Sequence, residues 1–152
     1  MKTQIINPMQ KATELGYLAC SREEIPVGAV IVRNGKIISK ACNKREKSNI
    51  ATHHAEILAI EKACKKLKSW RLDDCDMFVT LEPCPMCAGA ILNARIKNLH
   101  YAVRDEANGG ISRFNLMTNT LNHTTNCIQD TQYEEENKKL IKDFFRLRRK
   151  KK

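Results

Sequence analysis

Two short segments of this sequence carry side chains that could do chemistry: His54-Ala55-Glu56 and Cys84-Pro85-Met86-Cys87. Cysteines three residues apart share one face when they stand on a helix and can grip a single ion. This pair opens an inferred helix, Cys84–Arg95, where free backbone N–H groups and the positive end of the dipole favour thiolates over thiols. Pro83 and Pro85 suit that place, because first-turn amides have no intrahelical partner. One imidazole and two thiolates form a donor set suited to Zn²⁺ at about 2.0–2.3 Å, and three protein ligands leave a fourth tetrahedral position for water. A fourth protein ligand would have to be Glu56 or another cysteine brought in by the fold. Cys20, Cys42, Cys64, Cys75 and Cys127 show no ligand spacing and read as ordinary buried thiols.

His54 and Glu56 are two residues apart, about 200° around a helix, so they cannot share a lateral face. Both can reach one ion only if their helix points at it end-on and carries them in its first turn. The spacing therefore predicts a helix start at Ala51 or Thr52. Glu56 then lies beside the metal's water without binding the metal, as a proton carrier must. A structural zinc, or a core histidine beside an accidental CxxC, is the plainer alternative. Each half of the pattern is weak alone. Together, H-x-E followed by P-C-x-x-C is the signature of a zinc-dependent nucleobase deaminase.

Elements must be found that can hold these segments together. Asn7 to Glu24 reads as a helix with Met9, Ala12, Leu15 and Ala19 inward. Val27–Val32 and Lys36–Ala41 read as strands around Asn34-Gly35, a strong hairpin signal. A polar stretch, Asn43–Asn49, leads to a helix from about Thr52 to Leu67, with Ile57, Ile60, Ala63, Cys64 and Leu67 inward. Asp76–Leu81 and Asn98–Val103 are strand-like. Phe114–Met117 and Asn126–Gln129 are weak segments, one a short helix and the other a strand. From Tyr133 to about Lys150 runs an amphipathic helix with Leu140, Ile141, Phe144, Phe145 and Leu147 inward. The hairpin demands antiparallel pairing and the later strand–helix–strand run parallel pairing. The expectation is a three-layer α/β/α domain spanning 1–152, built on a mixed five-stranded sheet.

The formal charge of +10 over 152 residues points to a polyanionic partner without choosing among nucleic acid, acidic membrane and solubility. Neither an export signal nor a stretch of ~20 apolar residues is visible, so a cytoplasmic protein with no membrane association is expected. Seven cysteines, an odd number, then fit reduced thiols and metal ligation better than a disulfide framework.

The sequence resembles the cytidine deaminase superfamily and, within it, the tRNA-specific adenosine deaminases. The resemblance runs from Ile25-Pro26-Val27-Gly28-Ala29-Val30, through Val79-Thr80-Leu81-Glu82-Pro83-Cys84-Pro85-Met86-Cys87-Ala88-Gly89-Ala90, to Asp143-Phe144-Phe145-Arg146-Leu147-Arg148-Arg149. It implies a cytidine deaminase-like fold and hydrolysis of adenosine to inosine at the wobble position of a tRNA anticodon. It also implies one zinc per chain held by His54, Cys84 and Cys87, Glu56 as general acid/base, and a homodimer whose two chains both contact the tRNA. Asn43 matches a nucleotide-binding asparagine and Arg104-Asp105 a segment at the RNA backbone. Ala55, Phe145, Arg146 and Arg149 complete the expected substrate contacts, with Lys138 and Lys142 as further phosphate contacts. His53 departs from the small residue usual before the ligand histidine and is expected at the pocket rim. Two rival readings share parts of this pattern: a free-base deaminase acting on guanine or cytosine, and a non-catalytic RNA-binding module stapled by zinc.

Overall fold

The structure, a computed structural model, describes residues 7–117 and 123–150. Five strands, β1 (Gly28–Arg33), β2 (Lys36–Cys42), β3 (Cys75–Leu81), β4 (Asn98–Val103) and β5 (Asn126–Gln129), form one sheet in the order β2-β1-β3-β4-β5. β1 runs antiparallel to β2 and β3, whereas β3, β4 and β5 are parallel, giving the mixed sheet expected. Asn34 and Gly35 both take left-handed backbone angles (φ 51° and 75°), the conformation a two-residue hairpin turn of primed type requires.

The helices are α1 (Pro8–Ser21), α2 (Arg45–Ser48), α3 (Ala55–Leu67), α4 (Pro85–Asn93) and α5 (Glu134–Lys150), the last preceded by a 3₁₀ turn over Thr131–Tyr133. Alternate strand residues face opposite layers. Ala29, Ile31, Met77, Val79 and Leu99 pack with Ala55, Ala59 and Ala63 of α3 and Ile91 and Leu92 of α4. On the other face Val30 and Phe78 meet Leu15 and Ala19 of α1, while Met9 and Ala12 pack near Ala102. All four residues expected to face inward on α1 are buried. Gly28 sits where α1 crosses β1. A Cβ there would lie 2.1 Å from the Ala12 carbonyl oxygen and 2.6 Å from the Leu15 Cβ. Gly28→Ala should therefore cost about 2–3 kcal/mol through overpacking, read as a lowered urea midpoint; an unchanged midpoint would mean that α1 can lift away at no cost.

Several sequence-based expectations need correction. On α3 the buried stripe is Ala55, Ala59 and Ala63; Ile60, Cys64 and Leu67 only flank the core, and Ile57 is half-buried outside it. Periodicity tracks the bulkiest apolar residues, whereas close approach to the sheet selects the smallest. On α5 Leu140 and Phe144 are buried and Ile141 is half-buried, but Phe145 and Leu147 are 40% and 54% exposed. One turn separates Leu140 from Phe144, and that single stripe makes the contact; Phe145 stands about 100° further round. Phe114–Met117 forms no helix, although Met117 is buried in the main core, and the polar stretch folds into the short α2. Among the described residues no helix is long and apolar enough to cross a membrane.

Candidate active site

Two helix starts meet at the C-terminal end of β3. α3 begins at Ala55 rather than at Ala51 or Thr52, because residues 50–54 make tight turns (His53 N–H to the Ile50 carbonyl, 3.1 Å; His54 N–H to the Thr52 carbonyl, 2.8 Å). His54 is the N-cap, with extended backbone (φ −79°, ψ 154°), and Glu56 follows in the first turn. Cys84 is likewise the N-cap of α4 (φ −67°, ψ 171°), with Pro85 next and Cys87 completing the turn. Both helices thus aim their positive dipole ends and free amides at one point, an environment that favours thiolates and anions.

The donor atoms of His54, Cys84 and Cys87 all lie within 4.8 Å of one another, the sole such group among the described residues. The His54 Nδ1 is 3.7 Å from the Cys84 Sγ and 3.5 Å from the Cys87 Sγ. A tetrahedral zinc with ordinary Zn–N and Zn–S lengths places such atoms about 3.6 Å apart, so the two edges that meet at His54 match that ion in size, and the donor set matches it in chemistry. The thiol of Cys87 hydrogen-bonds the sulfur of Cys84 and, against burial and with help from the His54 ring, holds the Cys84 pKa down at about 4. Cys87 is correspondingly pushed up, by that same bond, by burial and by Glu56.

Glu56 is 4% exposed and lies against Cys87. Burial, and after it the Cys84 thiolate, raise its carboxyl pKa above the usual range; its own backbone amide, the His54 ring and the Cys87 thiol pull the other way. A carboxyl held up in this way is suited to passing protons near neutral pH.

Glu56 and His54 stand in a cavity of about 110 Å³ with Ile25, Val27 and Leu81 as apolar walls and Asn43, Arg45 and Asp105 as polar ones. A wider groove of about 920 Å³ runs on from His54, Leu81 and Asp105 to Lys138, Lys142 and Phe145 of α5. The expected substrate residues divide accordingly. Asn43 is buried; its Oδ1 accepts the Arg45 backbone N–H at 3.0 Å, so its amide NH₂ is what it can offer a ligand. Ala55 and Asp105 line the cavity, and Arg104 lines the groove while its guanidinium leans towards Ser112 (3.5 Å) and Glu106 (3.9 Å). Arg146 pairs with Asp143 at 3.6 Å, and neither it nor the exposed Arg149 lines the groove. His53 is not among the cavity residues; its backbone carbonyl instead anchors the Lys44 N–H at 3.1 Å.

A model of the MafB19-like deaminases matches residues 4–149. The tRNA-specific adenosine deaminase of Bacillus subtilis is 40% identical over 146 residues, covering 95% of this chain and 90% of the relative. The chain belongs to this deaminase family. Among solved structures, a tRNA:A34 deaminase studied for A-to-I editing at the wobble position superposes with a TM-score of 0.83 at 36% identity, covering 88% of this chain and 97% of the other. A guanine deaminase of Bacillus subtilis gives a TM-score of 0.62 at 43% identity, over 65% of this chain and 66% of the other.

Two buried carboxylates that shape the deaminase site were not found by sequence reasoning. Glu82, 2% exposed, accepts the backbone N–H groups of Asp105 (3.2 Å), Ile111 (3.2 Å) and Ser112 (2.9 Å) and the Ser112 hydroxyl (2.5 Å). It thereby straps the loop 104–112 across the start of α4, so closely that a Cβ on Gly109 would collide with the Glu82 carboxylate at 1.6 Å. Glu24, 1% exposed, accepts the Glu46 and Lys47 N–H groups at 2.9 Å each and fixes α2 beside Asn43. For Glu82 the available signal was an acidic residue set among apolar ones, Leu81-Glu82-Pro83, where a solvated charge has no place; Glu24 follows Arg22-Glu23 and carries no such mark.

Proposed function

We propose that this chain hydrolyses adenosine to inosine at the wobble position of a tRNA anticodon. The observation that carries the reading is a buried carboxylate, Glu56, beside the His54–Cys84–Cys87 triangle, in a small cavity whose mouth opens onto the lysines of α5. The relatives named as tRNA-specific adenosine deaminases supply the substrate class.

In this reading His54, Cys84 and Cys87 hold one zinc ion. Zinc held there makes water nucleophilic at neutral pH. Glu56 accepts the proton of the attacking water and delivers it to N1 of adenine, which makes C6 electrophilic. The water oxygen bonds to C6, and Glu56 then takes the second proton from the new C6 hydroxyl and gives it to the amine as the C6–N bond breaks, so that ammonia leaves and inosine remains. Asn43 holds the target nucleotide through its amide NH₂, while Ile25, Val27 and Leu81 flank the base and exclude bulk water. The base must leave its stack to enter, and a single-stranded loop is the cheapest place to open. Phe145 offers a stacking surface along the groove, and Lys138, Lys142 and Arg104, with Arg146 and Arg149 further along, meet the phosphates. The resemblance supports extending this reading to a cytoplasmic homodimer acting as a single catalytic domain per chain.

Incubation with an anticodon stem-loop, and separately with guanine and cytosine, tests the reading. Mass spectrometry should find inosine at the wobble position, no ammonia from either free base, loss of activity on chelation and its return with zinc. Ammonia from guanine or cytosine, with none from the RNA, would overturn it.

A further inference from the structure

Resting on the reading above, we infer that Arg45 is a substrate-positioning residue that grips a backbone phosphate next to the target nucleotide. Arg45 lines the cavity that holds Glu56, yet among the described residues no carboxylate lies within ion-pair reach of its guanidinium. Neighbouring arginines contrast with it: Arg104 pairs with Glu106, Arg146 with Asp143 and Arg148 with Glu46. Arg45 is part-buried at the wall of the reaction cavity with no anion paired to it, an arrangement that an anion arriving with the substrate completes. A free base or nucleoside brings none. A nucleotide within an RNA strand brings a phosphate on each side, and the planar guanidinium fork binds phosphate oxygens in pairs.

The mounting of Arg45 supports the assignment. Its backbone N–H is held by the Asn43 Oδ1 at 3.0 Å, and the following two N–H groups are held by the Glu24 carboxylate at 2.9 Å each. Glu46, the next residue, is tied to Arg148 of α5 at 3.3 Å. Arg45 therefore projects from a fixed platform shared with Asn43, and the two side chains act on one nucleotide: the amide on the nucleoside and the guanidinium on its phosphate. The backbone beneath both side chains is thus fixed before substrate arrives, so binding has to order the Arg45 side chain but not the segment that carries it.

The test compares wild type, Arg45→Gln and Arg45→Lys on an anticodon stem-loop and on two versions with a neutral methylphosphonate at the linkage 5′ or 3′ of the target. Binding is measured by fluorescence anisotropy across a salt series, and inosine formation separately. R45Q should weaken binding about 10- to 100-fold, the range for a lost hydrogen bond to a charged group, and lower the salt slope by about 0.7, one phosphate on a single strand. R45K should recover part of the affinity. One of the two methylphosphonates should weaken wild type by a similar factor and R45Q hardly at all, since non-additivity marks a direct pair. Unchanged binding in R45Q, or losses that simply multiply for both linkages, would overturn the inference. Inosine formed with R45Q binding unchanged sinks the inference and leaves the deaminase reading standing. The predicted R45Q binding loss without inosine from wild type does the reverse.

Discussion

Glu56→Ala abolishes detectable turnover on the anticodon stem-loop, a loss of about a thousandfold or more, while the protein still carries one zinc per chain. The size follows from removing the buried carboxyl that stands beside the metal-donor triangle and moves protons between water, N1 and the leaving amine. Retention of zinc follows from the geometry, because Glu56 stands beside the donor triangle and is not one of its three corners. Truncation also removes a carboxyl from a buried place where its charge is disfavoured, so the fold should not weaken. Single-turnover assays and metal analysis on the same preparation check both halves. Residual activity above about a tenth of wild type, or loss of zinc with Glu56, would refute this division of labour.

Glu82→Ala lowers stability by about 3–5 kcal/mol, because three backbone N–H groups and one hydroxyl lose a buried acceptor together. For a chain of this size that corresponds to a Tm lowered by about 10 °C. Glu82→Gln should fall between the two, since its oxygen keeps part of the strap while its NH₂ faces donors. Activity should drop more than stability explains, because the freed loop carries Asp105 away from the cavity wall. Thermal unfolding alongside inosine formation at a temperature where all three proteins are folded decides the matter; an unchanged Tm in Glu82→Ala would show that the loop is anchored by other means.

The metal triangle was legible in the sequence because its geometry is local. Cys84 and Cys87 fix their own spacing through one helical turn, and the two-residue step from His54 to Glu56 already required an end-on helix. The sheet was legible too, since Asn34-Gly35 dictates the hairpin and β3 to β4 needs a crossover. The exact start of α3 was not, because His53 and His54 sit in turns whose hydrogen bonds leave no periodic trace. Nor was the outward turn of Phe145 and Leu147, since amphipathicity tells which residues are apolar and not how wide a stripe the sheet will cover. Arg45 was lost in a run of polar residues, Asn43-Lys44-Arg45-Glu46-Lys47, where only tertiary structure shows that it joins Asn43 at the cavity while Lys44, Glu46 and Lys47 do not.

Glu24 and Glu82 hold their loops chiefly by the peptide amides, not by what hangs from them. Positions such as Lys44, Lys47, Glu106 and Ala107 contribute almost nothing to their own anchorage, and can be exchanged while the frame around the reaction centre keeps its shape. A scaffold arranged in this manner separates what must stay constant for hydrolysis from what can drift to suit a new base or a new flanking nucleotide.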